Sequence, residues 1–335
     1  MTGWAEFDDF ASIATSALTR SPIGSGALDA VGWWDAAECV HDHPSALTAV
    51  MALLYAEGTT LSASCALGAL GAKPVLDHIG GRKWRDAAVV VNEHESDGSL
   101  QLDIVGGGDA TVGLIVRPDR VGLINLTEVQ TLPAAGINDP LSIRYKVDNQ
   151  ELIEWIPTNP ATNPAADTSL ALLGAAFELL GCCQSALDLA VDHALTREQF
   201  GRPIGAFQAV QHLLSDAATQ TAALRHVCRC ALDVPLDDPR RIDIARSAKS
   251  LGGRSALRVC QATLQVLGAI GFTWEHAHHR HFRRVLVLDA AFVTGSTLRR
   301  ELGRRTRQLG SQPSPLQIHD RHGEHDTEII QRLEH

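Results

Sequence analysis

The spacing of apolar residues changes twice along this chain, and that double switch limits the folds open to it more than any single motif. Up to about residue 72, apolar residues recur every three or four positions, as in "EFDDFASIATSALTRS" and "PSALTAVMALLYAEGTTLSASCALGAL", with "SPIGSG" and "HDHP" as turns. From 73 to about 164 the runs become short and β-like ("DAAVVVNEH", "LQLDIV", "TVGLIVRP", "VGLINL", "LSIRYKV"), separated by Gly, Asp, Asn and Pro. From 165 to 310 helical spacing returns in four long segments with short connections, the pattern of an antiparallel four-helix bundle. The expected class is α+β and mostly α: a helical region over 1–72, a small β domain over 73–164 and a bundle over 165–310. Residues 311–335, rich in His, Asp, Glu and Gln, read as a loosely ordered tail. No repeat of 20 to 50 residues points to a solenoid.

A chain of 335 residues with 45% apolar content can bury sizeable cores. The net charge of -10 removes the electrostatic case for a nucleic-acid partner. Arginines still crowd the last helical region (Arg280, Arg283, Arg284, Arg299, Arg300, Arg304, Arg305, Arg307), as a solvated or subunit-facing helix face or as a surface recruiting an anion. The opening "MTGWAEFDDF" is acidic where a secretory signal is basic, so a cytoplasmic location is expected. Glu178 and Gln184 divide the most apolar stretch, so no membrane span is expected. The seven cysteines, including Cys182-Cys183 and Cys228-x-Cys230, lack zinc-site spacing and read as small buried side chains.

Several motifs carry little. "VGGGDA" (residues 105–110) lacks a P-loop Lys-Ser/Thr and sits between strands. The histidines of "HAHHRH" (276–281) point around a whole helix turn and read as a surface or interface patch, not a metal site. No Gly-x-Ser-x-Gly elbow is present. The stretch "ALTREQFGRPIGAFQAVQH" (194–212) is different. A bundle loop needs only turn residues, yet this one gathers Arg197, Gln199 and Phe200 where one helix stops near Arg197-Glu198, and a new helix is expected from Ala206. Arg197 at a helix C-terminus is favoured by the dipole and keeps its fork for phosphate oxygens, while Gln208 and Gln211 can turn amides the same way. The plainer alternative is that Arg197 caps its own helix and Phe200 plugs the bundle end.

The run "TREQFGRPIGAFQAVQH" resembles the Arg-x-Gln-Phe-Gly-x-Pro-Ile segment of the acyl-CoA dehydrogenase family, and "QVLGAIGFTWEH" (265–276) resembles its Gln-x-x-Gly-Gly-x-Gly-Phe signature. The resemblance is specific over 168–310 and architectural before that. It implies helical, β-barrel and helical parts in order, and FAD held between subunits. It implies that Arg197 contacts the FAD pyrophosphate, that Phe200 and Gln208 hold the adenosine side with Gln199 and Phe207 beside them, and that Gln265, Val266, Leu267 and Gly268 line the other edge. Ala269 stands where the second Gly is usual, which narrows the backbone approach slightly.

The departures are as informative. The family's reaction removes a proton beside the thioester and sends a hydride to the flavin, so it needs a carboxylate base. One usual place for it falls in "FVTGSTL", at Val293 or Thr294, and the other falls at Ala171; none of these is acidic. Residues 66–160 show no Val-Thr-Glu-Pro or Trp-Ile-Thr run of the kind that holds the flavin ring, and the N-terminal helical part is short for the family. No catalytic residue is therefore expected, and no metal. The pattern resembles the non-catalytic partner subunits of bacterial two-plus-two acyl-CoA dehydrogenases acting on bulky thioesters such as steroid intermediates. It implies a longer, base-bearing partner subunit, an acyl-CoA substrate in the complex and an electron-transfer flavoprotein as acceptor. Two alternatives stay open: a self-sufficient homomeric enzyme using an unusual base such as Glu178 (or, less directly, Asp289), and a flavin-free structural or regulatory protein on the same scaffold.

Overall fold

The computed structural model describes residues 2–20, 26–40, 42–80, 84–96, 98–106, 109–117, 119–132, 139–158, 168–235, 238 and 240–309. The expected tail 311–335, and Gly107 and Gly108 of the glycine run, lie outside these residues. Five helices come first: α1 (Thr2–Arg20), α2 (Gly26–Ala30), α3 (Trp33–Glu38), α4 (Pro44–Thr60) and α5 (Ala66–Ile79). Pro44 opens α4, where a missing N–H is no loss. Helix α5 runs past residue 72 because Gly80, at φ 95°, is the residue that stops it, its N–H donating to the Leu76 carbonyl.

Seven strands follow: β1 (Ala87–Ser96), β2 (Ser99–Val105), β3 (Val112–Val116), β4 (Arg120–Asn125), β5 (Gln130–Leu132), β6 (Ser142–Val147) and β7 (Glu154–Pro157). Their order, β5-β6-β2-β1-β3-β4-β7, leaves β5 and β7 as edges, so among the described residues the expected barrel is an open sheet. Strand β1 is the pivot. It runs antiparallel to β2 and parallel to β3, and a register shift between Val90 and Asn92 bends it. Alternation sorts the faces. Ile104, Ile115 and Ile124 build a small core of their own, while their neighbours Val105, Leu114 and Leu123 join the main core against the helices.

The helical part then resumes with α6 (Ser169–Thr196), a two-residue pair β8 (Glu198–Gln199) and β9 (Arg202–Pro203), α7 (Gln208–Leu232), α8 (Arg241–Leu267), α9 (His278–Ala290) and α10 (Gly295–Leu309). Helix α6 is long and apolar enough to cross a membrane by composition alone, but most of that stretch is enclosed by α4, α7, α8 and α9. It meets α4 backbone to backbone: a Cβ on Gly58 would stand 2.0 Å from the Glu178 carbonyl, and one on Gly181 2.1 Å from that of Tyr55. Either substitution must push the two helices apart. The rings of Phe7, Tyr55 and Phe177, with centroids 5.4 and 5.5 Å from Phe7, pin α1 to the same pair, each contact adding roughly 0.5–1.5 kcal/mol beyond its buried area.

The helical region is not merely packed beside the sheet. Arg284 of α9 is fully buried and donates to Asp139 before β6 (2.8 Å), to Glu178 of α6 (2.8 Å) and to the Ser62 carbonyl between α4 and α5 (2.7 Å). Burial opposes its charge, but Glu178 and Asp139 more than offset that and raise its pKa. Glu57 of α4 lies in the same knot, and burial, then the nearby Glu178, push its carboxyl up to about 8. Two expectations change here. Arg284 belongs to the interior, not to a basic surface, and His278 and His281 are buried, bonded to Thr263 (2.7 Å) and Ser185 (3.1 Å), rather than a surface patch. Five cysteines are buried thiols, and Cys39 and Cys230 are partly exposed.

Candidate functional site

The end of α6 is where polar recognition groups collect. Thr196 back-bonds to the Asp192 carbonyl (2.8 Å), and Arg197 leaves the helix with an extended backbone, its N–H still held by the His193 carbonyl (2.9 Å). The chain then makes a tight hairpin rather than a plain break: Glu198 pairs with Pro203 and Gln199 with Arg202. Its two tip residues, Phe200 (φ 53°) and Gly201 (φ 77°), are both left-handed, as a two-residue hairpin turn requires. Glycine takes that conformation freely, but phenylalanine does not. Phe200 takes it with its ring 93% exposed, so no burial offsets the strain. A 3-10 turn over Ile204–Ala206 leads to α7, which starts at Gln208 rather than at Ala206.

Two satellite contacts fix this hairpin against the bundle. Ile204, Val210, Leu213 and Leu214 pack on Ala190, Ala194 and Val266, so the ends of α6 and α8 and the start of α7 form one small apolar cluster. The Gln211 amide donates to the Gly205 carbonyl (3.0 Å) and is thereby committed to the loop, not turned outward beside Gln208. Gln208 is exposed on the first turn of α7. Arg202 lies 4.2 Å over the Phe207 ring, and Phe200 meets that ring edge-on at 6.1 Å. Gln199 is exposed, its amide on the neighbouring Glu198 carbonyl (2.7 Å). Arg197 is exposed, and its guanidinium has no hydrogen bond or ion pair among the described residues.

The second limb comes from α8. Gln265 is exposed, whereas Val266 and Leu267 are buried, so those two side chains belong to the core. Gly268, at φ 64° and ψ -141°, occupies a region that glycine alone tolerates and starts a 3-10 turn over Gly268–Phe272. The structure therefore brings Arg197, Gln199, Phe200, Phe207, Gln208, Gln265 and Gly268 to one end of the bundle and withdraws Val266 and Leu267. It adds residues that the sequence reading passed over. Leu195, Ile270, Phe272 (73% exposed) and Trp274 (77% exposed) join Phe200 there, five of the seven large apolar side chains exposed among the described residues. Arg283 covers one face of Trp274 at 5.0 Å, and His279 meets its edge at 5.0 Å. The only signal was the aromatic content of "GFTWEH", whose exposure no periodicity reveals. His193 sits under this surface with its pKa lowered by burial, then by Arg197 and His276.

The positions that the resemblance gives to a base, Val293 or Thr294 and Ala171, carry no carboxylate in this chain. Val293 and Thr294 lie in the turn between α9 and α10, where the Thr294 hydroxyl accepts from the Thr297 N–H (3.3 Å) and so caps α10. Buried Lys249 holds that turn from beneath, its ammonium donating to the carbonyls of Asp289 (3.1 Å) and Val293 (3.5 Å), while burial lowers its pKa to about 8. Ala171 is buried in α6, and Glu178 is bound to Arg284 inside the protein. A cavity of about 340 Å³ lies beside the turn, at the other end of α6 from Arg197. The carboxylates on its rim are matched by cations, Glu93 with Arg117 (2.7 Å) and Glu301 with Arg246 (3.4 Å). Among the described residues no group of three or more His, Cys, Asp or Glu side chains is arranged for a metal ion.

Residues 172–305 match the family model described as acyl-CoA dehydrogenase, C-terminal domain. An acyl-CoA dehydrogenase of Mycobacterium tuberculosis called IpdE2 is 34% identical over 186 residues, covering 55% of this chain and 54% of that protein. The chain spans about half the length of the curated relatives it matches. The fold matches solved structures more widely. A structure described as the Tcur3481-Tcur3483 steroid ACAD G363A variant superposes with a TM-score of 0.71 at 18% identity, over 92% of this chain and 99% of that one. The ChsE4-ChsE5 complex from Mycobacterium tuberculosis gives 0.69 at 19% identity, over 92% and 98%. Over residues 172–305 this chain is therefore similar to the C-terminal domain of acyl-CoA dehydrogenases, and over most of its length it shares their fold.

Proposed function

We propose that this chain is the cofactor-lending subunit of an FAD-dependent acyl-CoA dehydrogenase that removes hydrogen from the α and β carbons of a CoA thioester, with bulky steroid-derived acyl groups as the leading substrate class. The observation that carries this reading is the open end of the bundle, where an unpaired Arg197 stands among five exposed apolar side chains. An exposed patch of that kind, beside a free cation, suits an anionic cofactor sandwiched against a second protein. The fit to FAD is half a site. The bundle end offers a guanidinium for the pyrophosphate, ring faces at Phe200 and Phe207 for the adenine and amides at Gln199, Gln208 and Gln265, but no enclosing wall. The 340 Å³ cavity elsewhere in the chain is too small for a dinucleotide.

When bound, FAD supplies the hydride acceptor. This chain's residues would fix it: Arg197 by charge-assisted bonds to phosphate oxygens, Phe200 by stacking, and Gln208 and Gln265 by amide contacts. The proton abstraction would fall to a longer partner subunit, since Glu178 is closed inside the protein and matched to Arg284. An assembly of two subunits of each kind, with an electron-transfer flavoprotein taking the electrons onward, completes the proposal. The cytoplasm is the proposed setting.

The test is cofactor occupancy. The chain would be purified alone and together with a longer acyl-CoA dehydrogenase homologue encoded beside it, and the flavin absorbance at about 450 nm compared with protein mass. Flavin only in the joint preparation, near one FAD per pair of unlike chains, supports the lending role. Full occupancy in the chain alone, with acyl-CoA-dependent dye reduction, overturns it and makes the chain an enzyme by itself.

A further inference from the structure

Lys249 of α8 is a buried cation with no ion-paired carboxylate among the described residues. It is closed off from solvent, and its ammonium donates to main-chain carbonyls of the α9–α10 turn, those of Asp289 (3.1 Å) and Val293 (3.5 Å). An ammonium has three donors, and no bond to the third is formed among the described residues. The charged groups around it are few. Asp289 of α9 is the one that favours the ammonium. Its Oδ1 lies 1.8 Å from where a Cβ on Gly253 would stand and 2.7 Å from one on Gly295. Arg246, on α8 itself, is paired with Glu301 of α10 (3.4 Å), and Arg299 of α10 donates to the Ser250 carbonyl (3.2 Å). Toward α6 and α7 the neighbouring Gly252 meets Leu179 and Leu224. Burial therefore outweighs Asp289, and the Lys249 pKa falls to about 8.

The turn that Lys249 grips is strained. Phe292 has φ 61°, a region that bulky residues avoid, and the Val293 N–H reaches back to the Ala291 carbonyl (2.8 Å) in a three-residue turn. The Phe292 ring is set against α5, where a Cβ on Gly71 would lie 2.8 Å from its Cε1. Ser250, next to Lys249, adds a second hold by donating its hydroxyl to the Gly295 carbonyl (3.2 Å). Such a backbone persists while its surroundings enforce it. Here the enforcement comes from two adjacent residues of α8.

We propose that the α9–α10 turn is a latch, closed while Lys249 is an ammonium and released when it becomes a neutral amine. The amine keeps two donors but loses the charge assistance that makes such bonds about twice as strong, so less opposes the strain at Phe292. Phe292 and Val293 are walls of the cavity of about 340 Å³ beside the turn, and release widens it. The latch does not rest on the cofactor-lending role.

Two effects of opposite sign identify it. The folded pKa of about 8 lies below the ordinary lysine value of 10.5, so burying the ammonium costs stability at neutral pH, and that cost disappears as pH rises from about 8 to about 10.5. The whole chain therefore gains stability from this group over the range in which the turn loosens. General alkaline unfolding would weaken both together.

The experiment is hydrogen exchange of the full chain, read by mass spectrometry from pH 6.5 to pH 9.5 with the intrinsic base-catalysed rate divided out. Protection of the amides at 292–295 should fall at least tenfold in wild type while that of α6 holds. In Lys249→Met, which has no proton to lose, the turn should be poorly protected throughout and show no further fall. Asp289→Asn removes the favourable charge, so its fall should come at lower pH than in wild type. Melts over the same range should show wild type gaining on Lys249→Met as pH rises. The proposal is overturned if protection of the turn in wild type does not change with pH, if Lys249→Met shows the same fall, if Asp289→Asn leaves the fall where it was, or if wild type loses stability relative to Lys249→Met over this range. Should Lys249→Met not fold, the position of the fall in Asp289→Asn decides alone.

Discussion

Two arginines in the same helical domain have opposite surroundings. Arg284 is fully buried and spends its guanidinium on two carboxylates and a carbonyl from three other segments, whereas Arg197 lies exposed at the end of α6 with no partner. A buried cation must be matched inside the molecule or the fold does not form. An exposed one on a patch of uncovered aromatics is matched, if at all, by something outside. The comparison separates two surroundings of the same residue type: Arg284 joins the N-terminal helices, the sheet and the bundle, and Arg197 is left free for the anion proposed above.

Removing the buried partner should have the largest effect. Arg284→Leu leaves Glu178 and Asp139 in the interior without their cation, and a loss of about 3–5 kcal/mol in unfolding free energy is expected. Adding Glu178→Leu to it should restore part of that loss, because the uncompensated charge goes with it. Urea denaturation of the single and double variants checks this. Additive losses would mean that the pair does not interact, and the contrast between the two arginines would collapse.

The next effect concerns the proton budget of the same knot. Glu57 has its pKa raised from 4.5 to about 8, so the folded state keeps a proton that the unfolded chain has already lost. Stability contributed by this group therefore falls as pH rises from about 4.5 to about 8. Glu57→Gln removes that dependence. The variant's advantage over wild type should grow across this window and level off above it, reaching a few kcal/mol at about 1.4 kcal/mol per pH unit, reduced by coupling to Glu178. Melts from pH 5 to pH 8.5 measure it. A difference that stays flat with pH would show that Glu57 is not the group holding the proton.

Arg197→Ala should act on the other side of the comparison. Losing charge-assisted bonds to phosphate costs roughly 1.5–3 kcal/mol, so FAD affinity of the complex should fall by about ten- to a hundredfold. Stability of the chain alone should change by no more than about 0.5 kcal/mol, as for a surface residue without structural partners. A large stability loss with unchanged flavin content would make Arg197 a helix cap and nothing more.

The two arginines were not equally legible. Arg197 is singled out by a resemblance, since local spacing allows a plain helix cap as readily; what spacing does give is its place at a helix end, where it lies exposed. Arg284 sits in "HHRHFRRV", which reads as a basic stretch, and its partners Asp139, Glu178 and Ser62 lie 145, 106 and 222 residues away in sequence. No local pattern encodes a contact of that range. The alternation of helix and strand periods gives the order of helical, β and helical stretches, but which strands pair, and so which are left as edges, is set between distant segments and is not recorded by alternation. At the site the same limit applied. Val266 and Leu267 stand in the right motif, yet whether a side chain such as Val266 faces outward is decided by Ala190, Ala194 and Ile204 packing from other segments.

The smallest effect is the sharpest check on whether the bundle end faces outward. Phe200 holds a left-handed backbone at φ 53° with its ring almost fully exposed and only an edge contact to Phe207. Replacing it with Gly relieves about 1–2 kcal/mol of backbone strain and gives back about 0.4–1 kcal/mol through the freer unfolded chain. The isolated protein should thus be unchanged or up to about 1 kcal/mol more stable, while the complex holds its flavin less tightly for want of the stacking ring. On the proposed lending role, a strained, exposed phenylalanine that adds nothing to its own fold is kept for a contact with the cofactor. If Phe200→Gly instead destabilises the isolated chain by more than about 1 kcal/mol, the ring supports the hairpin itself, and the exposed end loses its strongest claim to a partner.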